Sequence, residues 1–151
     1  MIRLHTTALA ALLLMSSGAV SLWAAPPAAA TKSQATMTAA AEANKFCFVL
    51  FYKQNDADTQ AATKTLSQGI TKRADRAGLT YVNVSDPQEA GIVQKFGVSR
   101  APMPMLLSVA PNGAITCIFP KGFVEADLDQ AFVTPTMTRC MKAIQDGKLV
   151  F

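Results

Sequence analysis

Apolar residues along the chain fall into short blocks whose spacing switches between strand and helix periods. Residues 46–52, FCFVLFY, are continuously apolar and rich in aromatic and β-branched side chains, as a central strand buried on both faces should be. From about Asp58 to Ala77 the positions Ala62, Leu66, Ile70 and Ala74 recur every four residues, which predicts a helix stopped by Gly78. Thr80 to Val84 alternates like a second strand. Asp86-Pro87-Gln88-Glu89 then offers an N-cap, a first-turn proline and a capping-box acid, opening a helix through Phe96. Met103 to Val109 reads as a third strand, in which Pro104 implies an unpaired position or bulge. Pro111-Asn112-Gly113 is a hairpin turn and Ala114 to Phe119 a fourth strand. A helix from about Glu125 to Phe132 follows, and Thr134-Pro135 opens another that ends at Gly147. This order predicts an α/β fold: a mixed central sheet of about four strands with helices on both faces.

The flanks add organisation. Arg3 and His5 precede an apolar run from Ala8 to Met15, and small residues at Ala24-Ala25 suit signal-peptidase cleavage, so residues 1–25 read as an export signal. Ser16, Ser17 and Gly18 interrupt that run, leaving it short of the ~20 residues that span a bilayer. Residues 26–43, rich in Ala, Pro and Thr, are a flexible lead running into a first helix. The folded domain is assigned to 44–133, and 134–151 to a C-terminal helix and the start of a strand. The expected location is periplasmic or secreted.

Charge and composition narrow the chemistry. Without Arg3, 13 of the 14 basic residues remain against 10 acidic ones, a net charge near +3 that is too small to argue for nucleic acid or a membrane surface. The one histidine is His5, inside the export signal. The mature chain is therefore without imidazole for Ser-His-Asp or Cys-His pairs or for a His-based zinc site. No cofactor is expected.

The strand FVLFY, the loop Phe96-Gly97-Val98-Ser99-Arg100-Ala101-Pro102, and MLLSVAPNGAI at 105–115 with Lys121-Gly122-Phe123 after it resemble the thioredoxin-like family over roughly Asn44 to Phe132. That resemblance implies a cis peptide at Ala101–Pro102. It also places the family's redox CxxC on Asp56-Ala57-Asp58-Thr59, where both cysteines are absent. The vicinal dithiol that exchanges disulfides is missing there. Asp56 and Thr59 suit a helix N-terminus instead. In the family, the loop before the cis-proline pairs its backbone with an extended peptide. The resemblance thus implies a groove formed by Asp56, Asp58, Thr59, Arg100, Ala101, Pro102 and Met103, taking a peptide or protein strand by β-augmentation. Arg100 is expected to pair with Asp56 or Asp58. The reading is an exported, non-redox binding or scaffolding module.

Two rival classes stay open. One is a monothiol oxidoreductase using Cys47, Cys117 or Cys140. The topology that the resemblance implies would separate Cys47 from Cys117 by the strand starting at Met103, roughly 9.5 Å and beyond the ~7 Å reach of a disulfide, while Cys140 pairing with either is open. Cys140 shares a helical stripe with Met137, Met141 and Ile144 that is expected to face the core. The other rival is a Cu(I) carrier using thioethers such as Met103 and Met105, although methionines at these spacings fit core filling. Lys72, Arg73 and Arg76 read as a solvated basic face. Residues 141–151 repeat the helix, lysine, apolar-strand logic of AAAEANKFCFVLF, which suggests a sheet-edge extension or a second similar unit.

Overall fold

A computed structural model describes residues 30–120 and 122–148. The export-signal stretch and the apolar residues 149–151 lie outside the described residues. The first element is helix α1 (Lys32–Glu42), then strand β1 (Phe46–Tyr52), helix α2 (Ala57–Thr71) and strand β2 (Ala77–Asn83). A 3-10 turn at Pro87–Glu89 leads into α3 (Ala90–Phe96), and another spans Val98–Arg100. Strands β3 (Met105–Val109) and β4 (Ile115–Phe119) form a hairpin, followed by a 3-10 segment at Glu125–Ala131 and helix α4 (Pro135–Gln145).

The four strands make one mixed sheet in the order β2-β1-β3-β4, with β1 parallel to β2 and antiparallel to β3. Strand β1 is central, and its alternation divides the core. Cys47, Val49 and Phe51 join Val82, Leu107 and α3's Ile92 on one face. Phe48 and Leu50 join Leu106, α2's Leu66 and Ile70, and Leu128 on the other. Helices therefore cover both faces, as an apolar strand of this kind requires. Among the described residues, no helix is long and apolar enough to cross a membrane.

The first helix expected before β1 is present and capped: Thr31 accepts a hydrogen bond from Gln34 N, and the Gln34 side chain accepts one from Thr31 N. Several other expectations are corrected. Helix α2 ends at Thr71, and Gly78 lies within β2. A Cβ on Gly78 would stand 3.2 Å from the Ala40 methyl, so glycine there lets α1 lie close to the strand. Glu89 does not close a capping box, because the Asp86 N–H already donates to Asn83 O. Instead the buried Glu89 carboxylate accepts from Thr31 Oγ at 2.9 Å and Ser33 Oγ at 2.8 Å, tying α1 to the start of α3.

The basic residues Lys72, Arg73 and Arg76, which follow the end of α2, are not merely solvated. Arg73 donates to both carboxylate oxygens of Asp129, Lys72 pairs with Glu125, and the Arg76 guanidinium lies 4.2 Å from the Phe132 ring centroid. These contacts fasten 125–132 onto α2 where Gly69 permits close packing; a Cβ there would meet Leu128 at 2.4 Å. The hydrogen bond from Arg73 holds the Asp129 carboxyl below its usual range, and that from Lys72 does the same for Glu125. A lowered carboxyl pKa gives stability that is present above the ordinary carboxylate range and lost as pH falls through the folded pKa. Arg73→Gln is expected to lose stability at neutral pH and to differ less from the parent in acid. Chemical denaturation at pH 7 and pH 3 checks this; an equal loss at both pH values would assign Arg73 a packing role only.

The α4 stripe is also placed differently from the expectation. Met137 and Ile144 are exposed, with Cys140 and Met141 half-buried, while Thr138 faces inward. Polar fastening decides this orientation: Asn112 Nδ2 donates to Thr138 O, and the Gln145 amide both donates to Ile115 O and accepts from Ile115 N. Gln145 thus satisfies one residue of the β4 edge as a neighbouring strand would.

Candidate functional site

Strand β1 runs into the polar turn Lys53-Gln54-Asn55, and α2 begins with Asp56 as N-cap. Its carboxylate accepts from Thr59 N at 2.8 Å. That bond holds the Asp56 carboxyl below the usual carboxylate range. Thr59 itself is buried beneath the first turn. Asp58, one position into the helix and exposed, forms no ion pair or side-chain hydrogen bond among the described residues.

Across from this turn, the cis peptide is Met103–Pro104, not Ala101–Pro102. Two prolines stand two residues apart, and it is the one adjoining β3 that adopts the cis form; it precedes the first paired residue, Met105. Ala101 packs against the α1/α3 face of the core. Neither the N–H nor the carbonyl of Met103 has an internal hydrogen-bond partner among the described residues.

Between the two lies a groove of about 460 Å3 lined by Asp58, Ala61, Ala62, Thr65, Pro102, Met103, Pro104, Gly122 and Phe123. Three of the expected residues, Asp58, Pro102 and Met103, are brought together there. Asp56 is occupied with capping, Thr59 is covered, and exposed Arg100 forms no ion pair with Asp56 or Asp58 among the described residues. Ala61, Ala62 and Thr65 were legible in principle, since they share one stripe of α2 with Asp58. Gly122 and Phe123 reach the groove only through the fold, where Phe123 packs 5.9 Å from Phe119.

The thiols lie elsewhere. All three cysteines are free. Cys47 sits near the start of β1, five residues or roughly 16 Å along the strand from its groove end. It borders a separate cleft with Met37, Lys95, Phe96 and Val109, and burial pushes its thiol up to about 12. Cys117, opposite Ser108, is half-buried, and burial raises its pKa too. Cys117 is thus separated from Cys47 by β3, as expected. Of the methionine pair, Met105 is buried in the core while Met103 reaches the groove. Among the described residues, no group of three His, Cys, Asp or Glu side chains could hold a metal ion.

No family model matches the sequence, and no curated protein does. Solved structures do match in shape. Oxidised thioredoxin from Plasmodium falciparum superimposes with a TM-score of 0.51 at 14% identity, covering 66% of this chain and 89% of that one. Thioredoxin NaTrxh from Nicotiana alata gives 0.51 at 18% identity, covering 64% of this chain and 78% of that one. Identities this low carry the fold alone. The mixed sheet, its helices on both faces and the cis-proline facing a helix N-terminus across a groove together give this chain a thioredoxin-like fold.

Proposed function

We propose that the chain is an exported, non-redox binding module that takes an extended peptide or protein segment in the groove between α2 and the Met103–Pro104 loop. The observation that carries this reading is the lining itself. Where the fold's dithiol would stand, the groove is walled by Asp58, two alanines, a threonine, prolines, a methionine and a phenylalanine, and no thiol borders it. Such a surface offers an apolar floor and a polar rim but no nucleophile that exchanges disulfides. The backbone of Met103, without a hydrogen-bond partner among the described residues, supports the mode of binding, since an extended segment running past it would supply a donor and an acceptor. Export rests on the pattern of residues 1–25, and it would bring the module to the periplasm or outside the cell.

Ala61 is exposed on the groove wall, so Ala61→Arg fills the cavity without touching the core. Peptides recovered from a displayed random heptamer library on the parent chain are expected to lose binding to Ala61→Arg at least tenfold, with the unfolding midpoint unchanged. Peptides that bind both proteins equally would place recognition outside this groove, and a parent chain that captures none would end the reading.

A further inference from the structure

We infer that the groove selects a segment carrying lysine or arginine beside a bulky apolar residue, with Asp58 as the selecting group; this rests on the peptide-groove reading above. Two acids stand at the α2 N-terminus, but only one is available. Asp56 spends its carboxylate on the Thr59 N–H. Asp58 lines the cavity, is exposed, and is the only charged side chain among the described residues that border it. The cation expected to neutralise it, Arg100, forms no ion pair with it among the described residues. Lys64, the one lysine within α2, does not line the cavity, and the cations beyond the helix end are engaged elsewhere: Lys72 and Arg73 with Glu125, and Arg76 with Asp129.

The rest of the lining specifies the neighbour of that cation. Ala61 and Ala62 remove bulk from the helix wall, while Met103, Pro104 and Phe123 give an apolar surface opposite. A large apolar side chain can enter between them, with methionine adapting to its shape and the Phe123 ring offering an aromatic face. A segment held in extended form past Met103 alternates its side chains, so the residue next to the buried one projects toward the rim. A cation there meets the Asp58 carboxylate; an acid there meets like charge.

The test is a charge swap. The heptamer library is selected on the parent, on Asp58→Asn and on Asp58→Lys, and one recovered basic peptide is titrated against all three by fluorescence polarisation. The parent is expected to enrich lysine and arginine next to a large apolar residue, Asp58→Asn to lose that enrichment, and Asp58→Lys to enrich aspartate and glutamate. The basic peptide should weaken about fivefold on Asp58→Asn, as for a solvent-exposed ion pair, and more on Asp58→Lys. Peptides that bind all three proteins alike, yet are expelled by Ala61→Arg, would overturn the charge selection and leave the groove standing. Recovery of no peptide by any of the three would overturn both.

Discussion

Leu66→Ala is expected to destabilise the protein by about 3–4 kcal/mol, the usual range for a leucine truncated where neighbours cannot collapse into the space. Leu66 is fully buried at the centre of α2's apolar stripe, against Phe48, Leu50, Leu106 and Leu128. Three of those neighbours, Phe48, Leu50 and Leu106, are strand residues fixed by the sheet, so the cavity would remain. With a total stability of roughly 5–15 kcal/mol for a domain of this size, that loss is a large fraction. Urea unfolding followed by circular dichroism should show a lower midpoint with an unchanged slope. Leu66→Met, which nearly conserves volume, should cost under about 1.5 kcal/mol. Ala62 and Thr65 on the same helix line the groove, so peptide binding should weaken in Leu66→Ala while surviving in Leu66→Met. A loss below about 1 kcal/mol for Leu66→Ala would mean that α2 is not seated on the sheet as described.

The sheet was legible because its signals are local. Phe46–Tyr52 has seven apolar residues in a row, and the strand occupies those residues and no others. Asn112-Gly113 forms the expected turn, with Gly113 at a φ of 82°. Helix ends were less legible. Thr31-Lys32-Ser33-Gln34 carries a capping-box pattern that the alanine- and proline-rich surroundings obscured. Gly78 reads as a helix stop because glycine serves that role often, whereas here it answers to the approach of Ala40 from another element. The fate of Glu89 turned on a competitor, since Asn83 O had already taken the N–H that a capping box would need.

The site was half legible for the same reason. Asp58 and Met103 could be placed from the strand-to-helix turn and the proline loop. Which of Pro102 and Pro104 is cis depends on where β3 starts pairing, and that is a property of the sheet. The α4 stripe shows the limit of periodicity: four apolar residues share a face, yet two polar side chains, Asn112 and Gln145, set which way the helix turns. Arg73 misled in the opposite sense, because its partners Asp129 and Glu125 lie over fifty residues away in sequence.

Raising the pH is expected to unfold the protein in a manner traceable to one thiol. Cys47 is buried, and removal from water disfavours its thiolate, pushing the pKa from 9.0 up to about 12. The unfolded chain releases the proton near 9 while the folded chain keeps it, so above that pH the unfolded state binds fewer protons and stability falls. Cys47 therefore contributes stability that is fully present below pH 9 and lost as pH rises through 12, about 4 kcal/mol across that interval. Burial raises Cys117 and Tyr81 as well, so the measurement is a difference: unfolding free energies of the parent and of Cys47→Val between pH 7 and pH 11. Valine suits the strand and the pocket, and carries no titrating group. The variant is expected to lose less stability than the parent as pH rises, with the gap opening only above about 9. The same burial predicts that iodoacetamide at pH 8 modifies Cys47 only after denaturation. Parallel pH curves, or rapid native labelling at Cys47, would contradict the buried thiol and reopen the monothiol chemistry that the thiol-free groove argues against.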